Sequence, residues 1–510
     1  MGQARRKKKQ DNEQVSQSMP GRFQRWNRLR LWLLIAIFAS YYYWTIHPDP
    51  SQPIPKFGLY CMVADALAHG QTNLLVGPRS ELLALPNPYD PAQNARYRMQ
   101  DVSLYKGRYY VYFGVAPVVA LFLPYRMLTG EVLSDREGAW LFAAGAYALA
   151  CLLLELLWNR WWPMAPRWLL FFLCICLGFS NTFPFLLRRP AVYECAIAAG
   201  QFFLFLAMYA TARAAFGCKY PRLMAALSGA SLAATFGSRP LLVLAGVVLC
   251  LLLVRGGDLP PLGQRRQQFV CALVPFAAGV LLLLLYNNLR FDSPLEFGTS
   301  YMLSYADSRT TRLFDLSRLL PNLRFTLLQP PGLRSTFPFI VAARNPAFFV
   351  SRGIVWFDFI AGIVWTLPLI LAFGAAPALW KRAPSDRRLE WAVCAGTLGL
   401  LGAVWACLDA MVMATMRYQA DYSMIWFMAV ASILGGVSEW PVLRERAWMY
   451  RGIVFLGLLG ILVNGAIGIQ GYNDNLRFEA PKQFENLASW FSPVAKVLGS
   501  LGVPGDRTDR

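Results

Sequence analysis

The sequence predicts an all-α polytopic membrane protein, and three observations carry that prediction. Hydrophobic residues make up 56% of the 510 residues and charged residues only 15%, against about 25% charged in an ordinary soluble domain. Apolar runs long enough for a bilayer core, roughly 17–25 residues each, recur along the chain. Between them lie six basic clusters: Arg5–Lys9, Arg160/Arg167, Arg213/Lys219/Arg222, Arg255/Arg265/Arg266, Lys381/Arg382/Arg387/Arg388 and Arg444/Arg446/Arg451. Short loops rich in Lys and Arg stay cytoplasmic, so these clusters fix the direction of each span.

The basic, polar segment 1–28 reads as a cytoplasmic tail. The first apolar run, Leu29–Ile46, is too long for a signal-peptide core and has no small-residue cleavage site, so it reads as a retained span. Further spans are expected at Ala139–Leu157, Trp168–Leu187, Ala191–Ala212, Leu223–Phe236, Leu241–Val254, Phe269–Asn287, Gly353–Trp380, Trp391–Leu408, Tyr422–Val437 and Gly452–Ile469. A twelfth apolar run, Tyr109–Leu128, would throw every later basic cluster onto the wrong side if it crossed. Its Pro117, Pro124 and Gly114, with an aromatic-rich start, fit a broken segment in the interface instead. That leaves about 11 transmembrane helices within 29–470.

Two long external loops follow, 47–138 and 288–352, with turn chemistry at Leu85–Pro91, Asp292–Pro294 and Pro330–Gly332 and amphipathic stretches suited to juxtamembrane helices. The tail 471–510 is external; Phe484, Leu487, Trp490, Phe491, Val494 and Leu498 recur at helical spacing, as in an interfacial helix. The expected setting is the cell (inner or plasma) membrane, N-terminus cytoplasmic and C-terminus external.

The net charge of +20 sits largely in topogenic loops and the N-terminal tail, where anionic lipid explains it. No nucleic-acid-binding motif accompanies it. Most of the ten cysteines lie inside apolar runs without a CxxC pair, and there are two histidines, His47 and His69. A metal site, a disulfide framework or a cofactor is therefore not expected.

With the basic clusters inside, the unusual polar residues fall on the opposite face. In the first loop Asp65 interrupts an apolar helical pattern, and Asp101 heads the Tyr-rich stretch Asp101–Pro117. A carboxylate desolvated among aromatic rings is suited to take a proton from a hydroxyl. The plainer alternatives are that Asp101 caps a helix and that Asp65 faces water. Arg189, Tyr193 and Glu194 stand where two spans meet, and Arg239 lies in the turn Gly237–Pro240, as polar punctuation or as a bidentate ligand for phosphate. Asn288, Arg290 and Glu296 mingle with aromatic rings in Tyr286–Leu303, as on carbohydrate-binding surfaces or in an aromatic belt. Arg417 and Asp421 are four apart at the start of a span and are expected to pair with each other.

The arrangement resembles the integral-membrane glycosyltransferase C superfamily, which includes protein O-mannosyltransferases and lipid A aminoarabinose transferases. One span, a long external loop, six further spans and a second large external loop form the shared pattern, over roughly residues 30–470. Two stretches resemble an uncharacterised bacterial branch: D-x-S-x-Y-x-G-K/R-Y-Y-x-Y-F-G-x-x-P, from Asp101 to Pro117, and R-F-x-S-P-L-E-F-G, from Arg290 to Gly298. The resemblance implies an inverting hexosyl- or pentosyltransferase that passes a sugar from a polyprenyl-phosphate donor to a glycan, lipid or protein acceptor outside the cytoplasm. An external-loop carboxylate would be its base, and Arg189, Arg239, Arg290 and Arg417 would surround the departing phosphate. Better-known relatives carry an acidic pair four residues before the loop's first aromatic position. Here Lys56 and Phe57 stand there, before Tyr60, which leaves Asp65 and Asp101 as competing bases. A transporter or flippase of lipid-linked sugar, and a non-catalytic envelope-assembly protein, are the alternative functions. Transporters are commonly built from internal repeats around a midplane site, and no repeat is evident here.

Overall fold

Long apolar helices need definite ends, and the second long helix shows how this chain supplies one. Ser134 Oγ accepts the Glu137 N–H at 3.1 Å while Glu137 Oε2 accepts the Ser134 N–H at 3.0 Å, a capping box that starts the helix at Asp135. The computed structural model describes residues 21–255, 261–310, 315–344, 349–351, 354–356, 358–382, 414–440, 446–472 and 474–505.

Most of the described chain is helical. The principal helices are α1 (Gly21–Ile46), α2 (Leu59–Ala68), α3 (Leu123–Thr129), α4 (Asp135–Trp161), α5 (Arg167–Ser180), α6 (Val192–Ala215), α7 (Pro221–Phe236), α8 (Pro240–Arg255), α9 (Leu262–Phe291), α10 (Leu319–Leu328), α11 (Met416–Ser438) and α12 (Ala447–Gln470). Two more, α13 (Pro481–Trp490) and α14 (Ser492–Ser500), end the described chain. Among the described residues, α1, α4, α5 with the following turn to Leu186, α6, α9, α11 and α12 are the seven helices long and apolar enough to cross a membrane. They correspond to seven of the expected spans. α7 and α8, of 16 residues each, form a shorter hairpin packed on α6. Trp391–Leu408 lies outside the described residues.

One expected span is different in kind. Within Gly353–Trp380 the chain has short strands, a single helical turn Ile363–Thr366, a 3₁₀ stretch Pro368–Ala375 and a helix beginning at Ala376. Pro368 lacks an N–H to continue the turn before it. Gly362 packs so closely on the end of α10 that a Cβ there would lie 2.5 Å from the Leu327 carbonyl oxygen. Hydropathy reads this run as a span because it sees composition and not backbone geometry.

The core centres on α6, packed between α4, α7 and α8. Small residues permit the approach: Gly145 of α4 meets the ring of Phe202, and Gly200 of α6 meets the Arg239 side chain. Around this centre the helix ends sort into two sets. At one end, the Arg188 guanidinium donates to Gly468 O at 2.8 Å and Thr45 O at 3.3 Å, and Arg136 donates to Ile46 O at 2.7 Å. These bonds gather the ends of α1, α5 and α12 with the start of α4. At the other end, the Met164 N–H meets Glu439 at 3.2 Å, Arg222 meets Gln267 at 2.6 Å, and Arg160 lies over Phe216. Arg160 and Arg222, from two of the six basic clusters, therefore lie at the second end, while Arg5–Lys9, Arg387, Arg388 and Arg444 lie outside the described residues.

The segment Tyr109–Leu128 stays at the first end. It leaves strand β2 (Arg108–Tyr110), which pairs antiparallel with β1 (Val102–Tyr105) through the two-residue turn Lys106–Gly107, both at positive φ as such hairpin turns need. A single π turn, Val118–Phe122, then leads into α3. Phe113 and Phe122 both pack against the ring of Tyr60, and α2 starts where the Asp135 carboxylate accepts the N–H groups of Tyr60 and Cys61 at 3.1 Å each. The segment thus begins and finishes beside the same helix. In the C-terminal tail, Phe484 and Phe491 pack on Phe337, while Trp490, Val494 and Val497 are exposed.

Candidate functional site

The two motif stretches, nearly two hundred residues apart, are woven together. Strand β3 (Met302–Leu303) extends the β1–β2 hairpin through Val102↔Leu303 and Ser103↔Met302. The Ser103 hydroxyl donates to Gly298 O at 2.8 Å; Gly298, at φ 92°, has no room for a Cβ beside Phe291 and Ser103. Buried Arg290 donates to Val111 O and to Asn287 Oδ1, both at 2.6 Å, with Tyr286 under its guanidinium. At the exposed rim Tyr105 and Lys106 reach Asp292 at 2.9 and 2.6 Å. The motifs are a joint between the two long loops, and that joint fixes the position of Asp101.

Asp101 heads β1 at φ 61°, a conformation Asp tolerates better than most residues. Its N–H is held by Leu303 O at 2.9 Å and its carboxylate accepts from Gln100 Nε2 at 2.9 Å. The Tyr193 hydroxyl faces the same carboxylate, as do the cations Arg417 and Arg98. Burial outweighs these partners and lifts the Asp101 carboxyl above the usual carboxylate range. Behind it, Tyr112 donates its hydroxyl to Tyr193 Oη at 2.7 Å.

Arg417 and its acid come from elements far apart in sequence. The Arg417 guanidinium lies 5.2 Å from the Tyr193 ring centre and donates to Asp358 Oδ2 at 3.0 Å. Asp358 is itself fixed by the Thr415 hydroxyl at 2.8 Å and the Phe359 N–H at 2.8 Å. Next to this, Glu194 accepts from Arg189 at 3.3 Å and from the Tyr472 hydroxyl at 3.2 Å, and Arg189 stacks 4.2 Å over the Tyr472 ring.

The turn carrying Arg239 is held by close backbone contact. The Ala116 N–H donates to Gly237 O at 3.1 Å, and a Cβ on Gly114 would fall 1.9 Å from that oxygen. Arg239 then lies across Gly200 and grips Asp421 through two hydrogen bonds, Nε to Oδ1 at 2.9 Å and Nη2 to Oδ2. Tyr418 stands in the field of Arg417, Arg239, Asp421 and Asp358 together.

Asp101, Arg189, Tyr193, Glu194, Arg239, Arg417 and Asp421 therefore belong to one end of the bundle and to linked clusters. Four predicted residues do not join them. Asp65 lies on α2 and is held by Arg126 at 3.0 Å, with His69 beside it, so it does not simply face water. Asn288 is exposed, Arg290 serves the loop joint, and Glu296 accepts the Gly298 N–H and Ser300 hydroxyl within its own turn. Two local readings are corrected. Asp101 caps no helix, since a strand follows it. Arg417 and Asp421 do not pair with each other: Arg417 meets Asp358 in the loop before α11, and Asp421 meets Arg239 in the turn between α7 and α8.

Sequence reasoning missed Asp358, Tyr112, Tyr418 and Tyr472. Asp358 had a usable signal: an acid inside an apolar run is a functional candidate in itself. Chemically, the site offers a partly desolvated carboxyl group facing the Tyr193 hydroxyl, with Tyr112 bonded behind it, and the guanidinium groups of Arg417 and Arg98. Among the described residues the buried Arg417 Nε has no hydrogen-bond partner, so the cation has a donor to spare there. Among the described residues no group of three or more His, Cys, Asp or Glu is placed to hold a metal ion. No family model, curated protein or solved structure matches the chain.

Proposed function

We propose that the chain is a membrane glycosyltransferase, moving a sugar from a polyprenyl-phosphate donor to an acceptor at the external face, with Asp101 as its base. The observation that carries this reading is the convergence of a half-buried carboxyl group, Asp101, with Tyr193 and Arg417, at the end of the bundle opposite Arg160 and Arg222. Asp65 is the weaker base, because Arg126 already engages its carboxylate.

In the proposed reaction Asp101 takes the proton of an acceptor hydroxyl. The acceptor oxygen forms the new bond to the anomeric carbon as the bond from that carbon to the phosphate oxygen breaks. The lipid phosphate leaves with the bonding electrons. Arg417 and the half-exposed Arg189 stand ready to offset its charge, and cations in a water-poor site stabilise such charge more than they would in water.

The test compares extracted envelope glycans by mass spectrometry from cells with and without the gene, then from deleted cells carrying Asp101→Asn. A sugar unit is expected to disappear on deletion and to return with the wild-type chain alone. Restoration by an abundant, membrane-inserted Asp101→Asn chain would sink the assignment.

A further inference from the structure

We propose that Asp358 is the positioning residue of this site: it fixes the Arg417 guanidinium against the Tyr193 ring, facing Asp101, and so sets the charge balance at the base. The geometry is specific. Both carboxylate oxygens of Asp358 are engaged, Oδ1 by the Phe359 N–H at 2.8 Å and Oδ2 by the Thr415 hydroxyl at 2.8 Å and Arg417 at 3.0 Å. Asp358 is 8% exposed, and its strand Phe359–Ile360 is pinned by pairing with Ala343–Arg344. A carboxylate held at three points by groups on two segments presents its charge in one place.

Arg417 depends on that charge. Its side chain is 24% exposed, and a guanidinium this enclosed needs a carboxylate close by. Besides Asp358, the groups facing it are Tyr472, Glu194 and Tyr418, with Asp101 across Tyr193. Glu194 is already shared by Arg189 and Tyr472. Without Asp358 the cation would turn its unbalanced charge on Asp101, and a base ion-paired to Arg417 accepts protons poorly. Asp358 thus keeps Asp101 basic by occupying Arg417. The groups facing Asp101 from every packed element are Gln100 and Arg98 of its own loop, Tyr193 of α6 with Tyr112 behind it, and Arg417 of α11.

This inference takes its functional meaning from the transferase reading, yet its test uses no sugar. Dicyclohexylcarbodiimide adds the O–H of a protonated, sheltered carboxylic acid across one of its C=N bonds, so labelling of Asp101 against pH reports where that group loses its proton. The full chain in lipid vesicles is labelled over a pH series and the Asp101 adduct quantified by peptide mass spectrometry. Asp358→Asn is expected to lower the labelling midpoint by about one pH unit, tenfold in proton affinity, as an opposite charge at close range does. Asp358→Glu is expected to stay near wild type and Arg417→Gln to raise the midpoint. In Asp358→Asn/Arg417→Gln the downward shift is expected to vanish. An unchanged midpoint in Asp358→Asn, or the same shift in the Arg417→Gln background, would overturn the proposal. Should Asp358→Asn fail to fold, an unmoved midpoint in Arg417→Gln overturns it equally. A chain that transfers no sugar but shows these shifts would defeat the transferase reading and leave this one standing.

Discussion

Replacing Gly114 with Ala tests the packing that delivers Arg239 to Asp421. The added Cβ would lie 1.9 Å from Gly237 O, 2.5 Å from Gly237 C and 3.1 Å from Ser238 N. All three are backbone atoms and cannot rotate away. Restoring ordinary contact requires the two segments to part by about 1.5 Å, which breaks the 3.1 Å hydrogen bond from the Ala116 N–H to Gly237 O. Overpacking of this kind costs about 1–3 kcal/mol, and the lost hydrogen bond about 1 kcal/mol more, giving about 2–4 kcal/mol together. Gly452→Ala is the control: nothing lies within 4 Å of its Cβ position, and Ala within a helix is favoured over Gly by about 0.5–1 kcal/mol. Thermal unfolding in lipid nanodiscs, followed by loss of monodisperse protein, should place Gly114→Ala several degrees below wild type and Gly452→Ala level with it or above. Equal stability of the two variants would refute the reasoning, because it would mean the Gly114–Gly237 contact is not close.

Two further outcomes follow from the charges. Burial holds the Asp101 carboxyl above its ordinary value of 3.8, and a base works only when ionised; transfer should therefore fall, as pH is lowered, with a midpoint above 3.8, and a midpoint at or below it in a pH–rate profile would contradict the assignment. Arg239 and Asp421 form an enclosed pair, with side chains 22% and 2% exposed. Asp421→Leu should cost about 3–5 kcal/mol by stranding the guanidinium, while Arg239→Met/Asp421→Leu should cost clearly less; additive losses in the cycle of Arg239→Met, Asp421→Leu and their double variant would exclude the pair.

Helix positions were legible in the sequence wherever hydrophobicity was long and uninterrupted. α9 and α12 follow from composition alone, since their exposed apolar faces need only lipid and not a specific protein partner. The shared end of Arg160 and Arg222 was legible too, because Lys and Arg were read as marking one set of loops. Gly353–Trp380 was misread for the same reason: an apolar run with Gly362 and Pro368 has the hydropathy of a span and the backbone of a folded loop. Within the site, Asp101, Tyr193 and Glu194 could be picked out because polar groups beside aromatic rings stand out locally. Their partners could not. The bond from Arg417 to Asp358 spans 59 residues and that from Arg239 to Asp421 spans 182, and no local period encodes which loop will meet which helix. The i, i+4 rule proposed an Arg417–Asp421 pair because spacing was the only guide, and tertiary contact overrode it. The motif residues Arg290, Ser103 and Gly298 were legible as a pattern, but their use in joining the two loops required seeing β3 beside β1.

Everything in the site requires that Tyr109–Leu128 return to the end of the bundle where it began. Single cysteines at Lys106 and Thr129, which flank that segment and are exposed, and at Lys219 near the opposite end, can be probed with a membrane-impermeant maleimide on intact cells and on inverted vesicles. Labelling is expected at 106 and 129 from outside the cell and at 219 only in inverted vesicles. Labelling of 106 and 129 from opposite sides would show that the segment crosses, and would separate Asp101 from Arg239 and Arg417.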